Sequence, residues 1–77
     1  MVAINKKGVK YLEDVKITIE AARVNAHMTQ EQAASALGVT RQTVSEWESR
    51  RRYPPIKRVM QMSELYKIPF EMLTFLP

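Results

Sequence analysis

The stretch QEQAASALGVTRQTVSEW, residues 30–47, reads as two short helices around a glycine turn, and the rest of the chain can be placed by reference to it. Thr29 has the side chain of an N-cap, and Gln32, three residues on, is its capping-box partner. Ala33, Ala34 and Leu37 then repeat at helical spacing over about two turns. Gly38 follows the last apolar residue, where a helix end commonly takes a left-handed residue without a Cβ penalty. Thr40 offers a second N-cap, and Val44 and Trp47 form the inward face of a second helix running to about Ser49. The spacing therefore predicts helix, tight turn, helix.

Ala34 is small where the two helices would cross most closely, and Val44 and Trp47 turn into a core. The opposite face of the second helix carries Arg41, Gln42, Ser45 and Glu46, side chains that hydrogen-bond to base edges and phosphates. On Gln30, Ala34, Gly38, Val44 and Trp47, the stretch resembles the helix-turn-helix of the lambdoid phage repressor and Cro proteins and the wider XRE family. The likeness extends to about Leu73. It implies an all-α fold, a compact five-helix bundle like that of lambda repressor, with the motif as helices 2 and 3. Residues 13–77 would form this domain, behind a basic N-terminal arm over residues 1–12.

Composition bounds the alternatives. Seventy-seven residues make one domain, small enough that its core is marginal without good helix packing or a partner subunit. There is no cysteine, hence no disulfide and no thiolate metal site. No apolar run approaches bilayer-spanning length, and the first residues lack the apolar core of a signal peptide, so a soluble cytoplasmic protein is expected. The net charge is +4, with seven of the twelve basic residues from Arg41 onward and three adjacent at Arg50, Arg51 and Arg52. Such a localised positive field suits nucleic acid, although a solvated basic surface explains charge alone equally well.

In chain order, Met1 to Lys10 is a weakly patterned basic leader, expected to be partly disordered, either an arm along DNA or a soluble tail. Asp14 or a neighbour opens the first helix, with Val15, Ile19, Ala22 and Ala26 as its apolar line. The β-branched Ile17, Thr18 and Ile19 make a strand over Val15–Ile19 the local competitor. No second strand is evident to pair with it, so a helix is expected. His27 stands in the next turn, where many relatives carry glycine. As the only histidine it has no companion ligands, and neither a metal site nor a catalytic role is expected.

Pro54 and Pro55 stop the basic segment after the motif and lead into a fourth helix. Its apolar line is Ile56, Val59, Met60 and Ser63, completed by Leu65 and Tyr66, with Met60 and Met62 as gap-fillers or flank. Relatives often place glycine just after the recognition helix, where Arg50 stands here. Residues 68–73 look like the family's last short helix, with Pro69 in its first turn and Phe70 and Leu73 packed inward. Met72, Phe75 and Leu76 form an apolar end that is hard to hide in so small a domain, which suggests a symmetric dimer contact.

What the resemblance implies is sequence-specific binding to double-stranded DNA by a small regulator, a repressor, acting as a homodimer on an inverted repeat. The helix from about residue 40 to 49 would lie in the major groove. Arg41 and Gln42 would read bases, followed by Ser45 and Glu46. Gln30 would hold a phosphate and brace Arg41, and Thr40, Thr43, Arg50, Arg51, Arg52, Tyr53 and Lys57 are the other phosphate candidates. Arg23 and Glu48 occupy positions that often form a structural ion pair in relatives. The competing class is a protein-interaction module, an antitoxin or phage adaptor holding a partner protein. An enzyme is not expected: there is no histidine pair and no glycine-rich phosphate loop, and no cofactor, metal, membrane or small-molecule substrate is implied.

Overall fold

Thr18, Thr29 and Thr40 open the first three helices. Each is extended, and its hydroxyl accepts the backbone N–H three residues on, from Ala21, Gln32 and Thr43, at 3.0, 3.0 and 3.1 Å. An otherwise orphaned donor in each first turn is thereby satisfied. Gln32 returns the favour to the Thr29 N–H at 2.9 Å, closing a capping box. The computed structural model describes residues 3–4, 10–11 and 16–75. The helices are α1 (Ile19–Asn25), α2 (Gln30–Leu37), α3 (Arg41–Glu48) and α4 (Ile56–Tyr66). The last of these starts behind Pro55, whose carbonyl accepts from Arg58 and Val59.

All four helices close in a left-handed residue within two positions of their end: His27, Gly38, Arg50 and Lys67, with φ of 58°, 74°, 64° and 58°. At each, the next N–H reaches back five residues: Met28 to Arg23, Val39 to Ala34, Arg51 to Glu46 and Ile68 to Ser63, at 3.0 to 3.2 Å. This is the long bond of a Schellman closure. Three of the four left-handed residues carry a Cβ, so each stores strain that glycine would not. At Gly38 itself an added Cβ would meet nothing within 4 Å, which makes its requirement one of backbone angle alone.

The core joins Ile19 and Ala22 of α1, Ala33 and Leu37 of α2, Trp47 of α3, Val59, Met62 and Tyr66 of α4, and Leu73. Met28, Val39 and Ile68, each following a left-handed closure, pack against it. Ala34 and Val44 are buried as well, so α2 and α3 meet through small and β-branched side chains.

The fold is mostly helical, with four α-helices among the described residues, and departs from a five-helix all-α bundle at both ends. Phe70–Met72 is a single 3-10 turn, begun by Pro69, after which the chain goes extended. Leu73 and Thr74 form a strand that pairs in parallel with Ile17 and Thr18, in the register Ile17 to Leu73 and Thr18 to Thr74. Thus α1 begins at Ile19, not near Asp14: Ile17 and Thr18 follow their β-branched preference because a partner strand arrives from the far end of the chain. Lys16 adds a bond from Nζ to the Glu71 carbonyl at 3.3 Å.

On α4 the inward line is Val59, Met62 and Tyr66, whereas Ile56 and Met60 are more than half exposed and Phe70 is 37% exposed. Helical spacing puts Met62, three residues beyond Val59, and Tyr66, four further on, on one buried stripe and leaves Met60 off it. Most of the basic leader, with Val15, lies outside the described residues. Within it Ala3–Ile4 and Lys10–Tyr11 pair antiparallel, Ala3 opposite Tyr11 and Ile4 opposite Lys10.

Candidate functional site

The second motif helix, α3, spans eight residues, about 12 Å. Its inner side is held by Val44 and Trp47, 2% and 4% exposed, and its outer side presents Arg41 and Gln42, exposed, then Ser45 and Glu46, half-buried. Thr40 and Thr43 share a hydroxyl–hydroxyl hydrogen bond of 2.9 Å at the helix start, beside the capping bond. Both threonines are thus committed to local structure; the bond between them uses one hydroxyl proton and leaves the other free to donate to a ligand.

Glu48 anchors the other end of α3. Arg23 donates from Nε to Glu48 Oε2 at 2.7 Å and from Nη2 to Oε1 at 3.1 Å, a two-point match of guanidinium and carboxylate. Its third nitrogen, Nη1, donates to the Met28 carbonyl at 2.7 Å in the turn between α1 and α2. Gln30 donates from Nε2 to Glu48 Oε1 at 3.0 Å. The Gln30 amide therefore meets Glu48 at the C-terminal end of α3, rather than Arg41 at its start. The Arg23 and Glu48 side chains retain 11% and 5% of their accessibility. The hydrogen bond to Glu48 raises the Arg23 guanidinium above its ordinary value, outweighing the burial that lowers it. Three helices are locked at one charged node.

Beyond α3, Arg50, Arg51, Arg52 and Tyr53 are exposed, as is Lys57 in the first turn of α4. Arg50 is the left-handed residue that turns the chain back, its N–H bonded to Trp47 O at 3.3 Å. Arg51 follows it. At the other three closures the corresponding residue is apolar and packs on the core, so the α3 closure alone is basic at both positions. Arg52 donates from Nη1 to Glu46 Oε1 at 3.1 Å.

One positioning residue had no signal in the spacing of the motif. Arg58 of α4 donates from Nη1 to the Leu37 carbonyl at 2.7 Å, satisfying an orphan acceptor at the end of α2, and to Gln61 Oε1 at 2.8 Å. It ties α4 to the turn of the motif across 21 positions. The Arg58–Gln61 spacing of three residues on one helix was readable; the distant carbonyl was not.

Met72 and Phe75 are half-buried, and Phe75 packs against the core, while Leu76 lies outside the described residues. Three exposed apolar side chains, Ile56, Met60 and Phe70, line a groove of about 470 Å³ with Ser63 and Glu64. Among the described residues no three metal-ligating side chains converge, and no helix is long and apolar enough to cross a membrane. A helix-turn-helix family profile matches residues 19–73, from the start of α1 to β4 (Leu73–Thr74). No curated protein and no solved structure matches the chain.

Proposed function

Because the chain belongs to the XRE family of helix-turn-helix DNA-binding domains, we propose that it is a small transcriptional repressor that binds duplex DNA at a specific sequence, with α3 lying in the major groove. The family is one of DNA-binding regulators rather than enzymes. The observation that carries the reading is the division of α3: Val44 and Trp47 buried on one side, Arg41 and Gln42 exposed on the other, on a helix held at its end by Arg23 and Gln30. A reading helix needs that combination of rigid seating and free polar side chains.

Arg41 takes the two major-groove acceptors of guanine, and Gln42 the donor and acceptor of adenine. Ser45 and Glu46 lie further along the same face. Arg50, Arg51, Tyr53 and Lys57 contact phosphates, and Thr40 and Thr43 offer one free hydroxyl donor at the helix start. The double departure at the α3 closure supports the arginine roles: local folding favours glycine and an apolar residue there, and the chain places two cations. Gln30 serves as a brace for Glu48 in the free protein and as a phosphate contact when DNA lies against the start of α2.

The repressor acts as a homodimer on an inverted repeat whose half-sites lie about one helical turn, roughly 34 Å, apart. The groove of Ile56, Met60 and Phe70 supports a self-complementary contact in this part of the chain. The same groove favours a second reading, in which a partner protein docks there and DNA binding is secondary. Selection from random duplex DNA at near-physiological salt tests the proposal. Enrichment of an inverted repeat is expected; retention without sequence preference, collapsing as salt rises, overturns it.

A further inference from the structure

Resting on the reading of α3 as a DNA-reading helix, we propose that Arg52 is a positioning residue for Glu46 and not a phosphate contact: it holds the Glu46 carboxylate so that this acidic side chain can read a base.

A carboxylate on the outer face of such a helix faces a polyanion, and left bare it repels every sequence alike. Here it is not bare. Glu46 Oε1 accepts from Arg52 Nη1 at 3.1 Å, and Glu46 keeps 28% of its side-chain accessibility while Arg52 keeps 62%. The backbone brings the pair together. The Glu46 carbonyl accepts from the Arg51 N–H at 3.0 Å, the Arg52 N–H at 3.4 Å and the Ser49 hydroxyl at 3.3 Å, so residues 49–52 fold back over Glu46. The left-handed Arg50 makes that return possible.

A surface ion pair this exposed contributes little to folding. Its effect lies in the site. Arg52 offsets the charge of Glu46 and so lessens its repulsion of phosphate, and among the described residues no second side chain donates to its carboxylate. The remaining oxygen is an acceptor only. In the major groove it suits an exocyclic amine, N4 of cytosine or N6 of adenine, and rejects the carbonyl edges of guanine and thymine. Arg52 thereby acts on sequence preference through Glu46.

The test is a double-mutant cycle on the full chain, reading affinity for the selected duplex and for duplexes changed one base pair at a time. Arg52→Ala is expected to reduce preference at a single position, an amine-bearing base, roughly fivefold or more. In a Glu46→Ala background the same change leaves preference unaltered and affinity within about twofold. Arg52→Lys, which keeps a cationic donor near Glu46, restores most of the preference. Equal losses of affinity in both backgrounds, with base preference untouched and the salt slope lowered by roughly one unit, would make Arg52 a phosphate contact and overturn the inference. A wild-type protein without sequence preference overturns the DNA-reading function itself, and this inference with it. Circular dichroism of each variant separates these results from a loss of fold.

Discussion

Arg23 and Glu48, 25 residues apart in sequence, meet in a near-dry two-point ion pair of 2.7 and 3.1 Å that fastens the end of α3 to α1. The attraction has to offset the desolvation of both charges, and it does so with help: Met28 O takes a third Arg23 donor and Gln30 a share of the carboxylate. The pair is worth most as a lock on geometry. Removing either partner leaves the other charge buried and unpaired.

Glu48→Ala or Arg23→Ala is therefore expected to destabilise the domain by about 3 to 5 kcal/mol, a large share of the stability of so small a protein. Urea unfolding followed by circular dichroism measures this. Gln30→Ala should cost less, about 1 to 2 kcal/mol, because Arg23 still neutralises Glu48. A loss below 1 kcal/mol for Glu48→Ala would show that water reaches the node freely.

Arg50→Gly should move stability and binding in opposite directions. Relief of the left-handed strain is expected to stabilise the fold by about 1 kcal/mol, while loss of the cation weakens DNA binding on all sequences and lowers the salt slope by roughly one unit. His27→Gly and Lys67→Gly, at the equivalent closures of α1 and α4, should stabilise similarly and leave binding unchanged. Gly38→Ala should destabilise by about 1 kcal/mol through its backbone angle. Thermal melts beside binding isotherms check all four, and an Arg50→Gly variant that binds as tightly as wild type would remove Arg50 from the phosphate set.

Arg41→Ala and Gln42→Ala are each expected to cost about 1 to 3 kcal/mol at one base position and to relax preference there. Competition with singly substituted duplexes reads the effect. A uniform loss on every duplex would reduce both residues to backbone contacts.

Stability should fall in strong alkali through Tyr66. Burial, with the nearby Glu48 charge adding to it and Arg23 opposing, pushes its phenol up from 10 to about 12. The folded protein keeps the proton to higher pH than the unfolded chain does. The stabilisation is thus complete below pH 10, declines as pH rises from 10 and is lost above about 12, at most about 2 to 3 kcal/mol in all. Tyr66→Phe should flatten that decline in denaturant titrations between pH 9 and 12. Parallel curves for the two proteins would place the alkaline loss elsewhere.

Met60→Glu, in the groove beside Ile56 and Phe70, should shift a dimer toward monomer and weaken binding to a two-half-site operator far more than to a single half-site. Sedimentation equilibrium follows the first effect. A variant with unchanged mass and operator affinity would leave the groove to another partner.

By itself, the sequence determined the helix-turn-helix, because its signals are local. Thr29 and Gln32 cap each other over three residues, Gly38 supplies the turn, and Val44 and Trp47 share a face through helical periodicity. The family resemblance, in addition, marked His27 and Arg50 as standing where relatives carry glycine. The charged face of α3 was legible for the same reason, since an eight-residue helix leaves little choice of which side chains face out. Only the tertiary structure decided the rest. Ile17 and Thr18 form a strand because Leu73 and Thr74 come alongside, an event more than fifty residues away that no local preference reports. Met62 took the place in the core expected of Met60 because α4 packs through the stripe of Val59, Met62 and Tyr66, and Arg58 found its acceptor on α2. The partners of Gln30 and Glu46 likewise arose from the folding of distant or looped segments onto α3. Short-range bonding is written in spacing, whereas a contact across the fold depends on where packing brings two segments that share no periodicity.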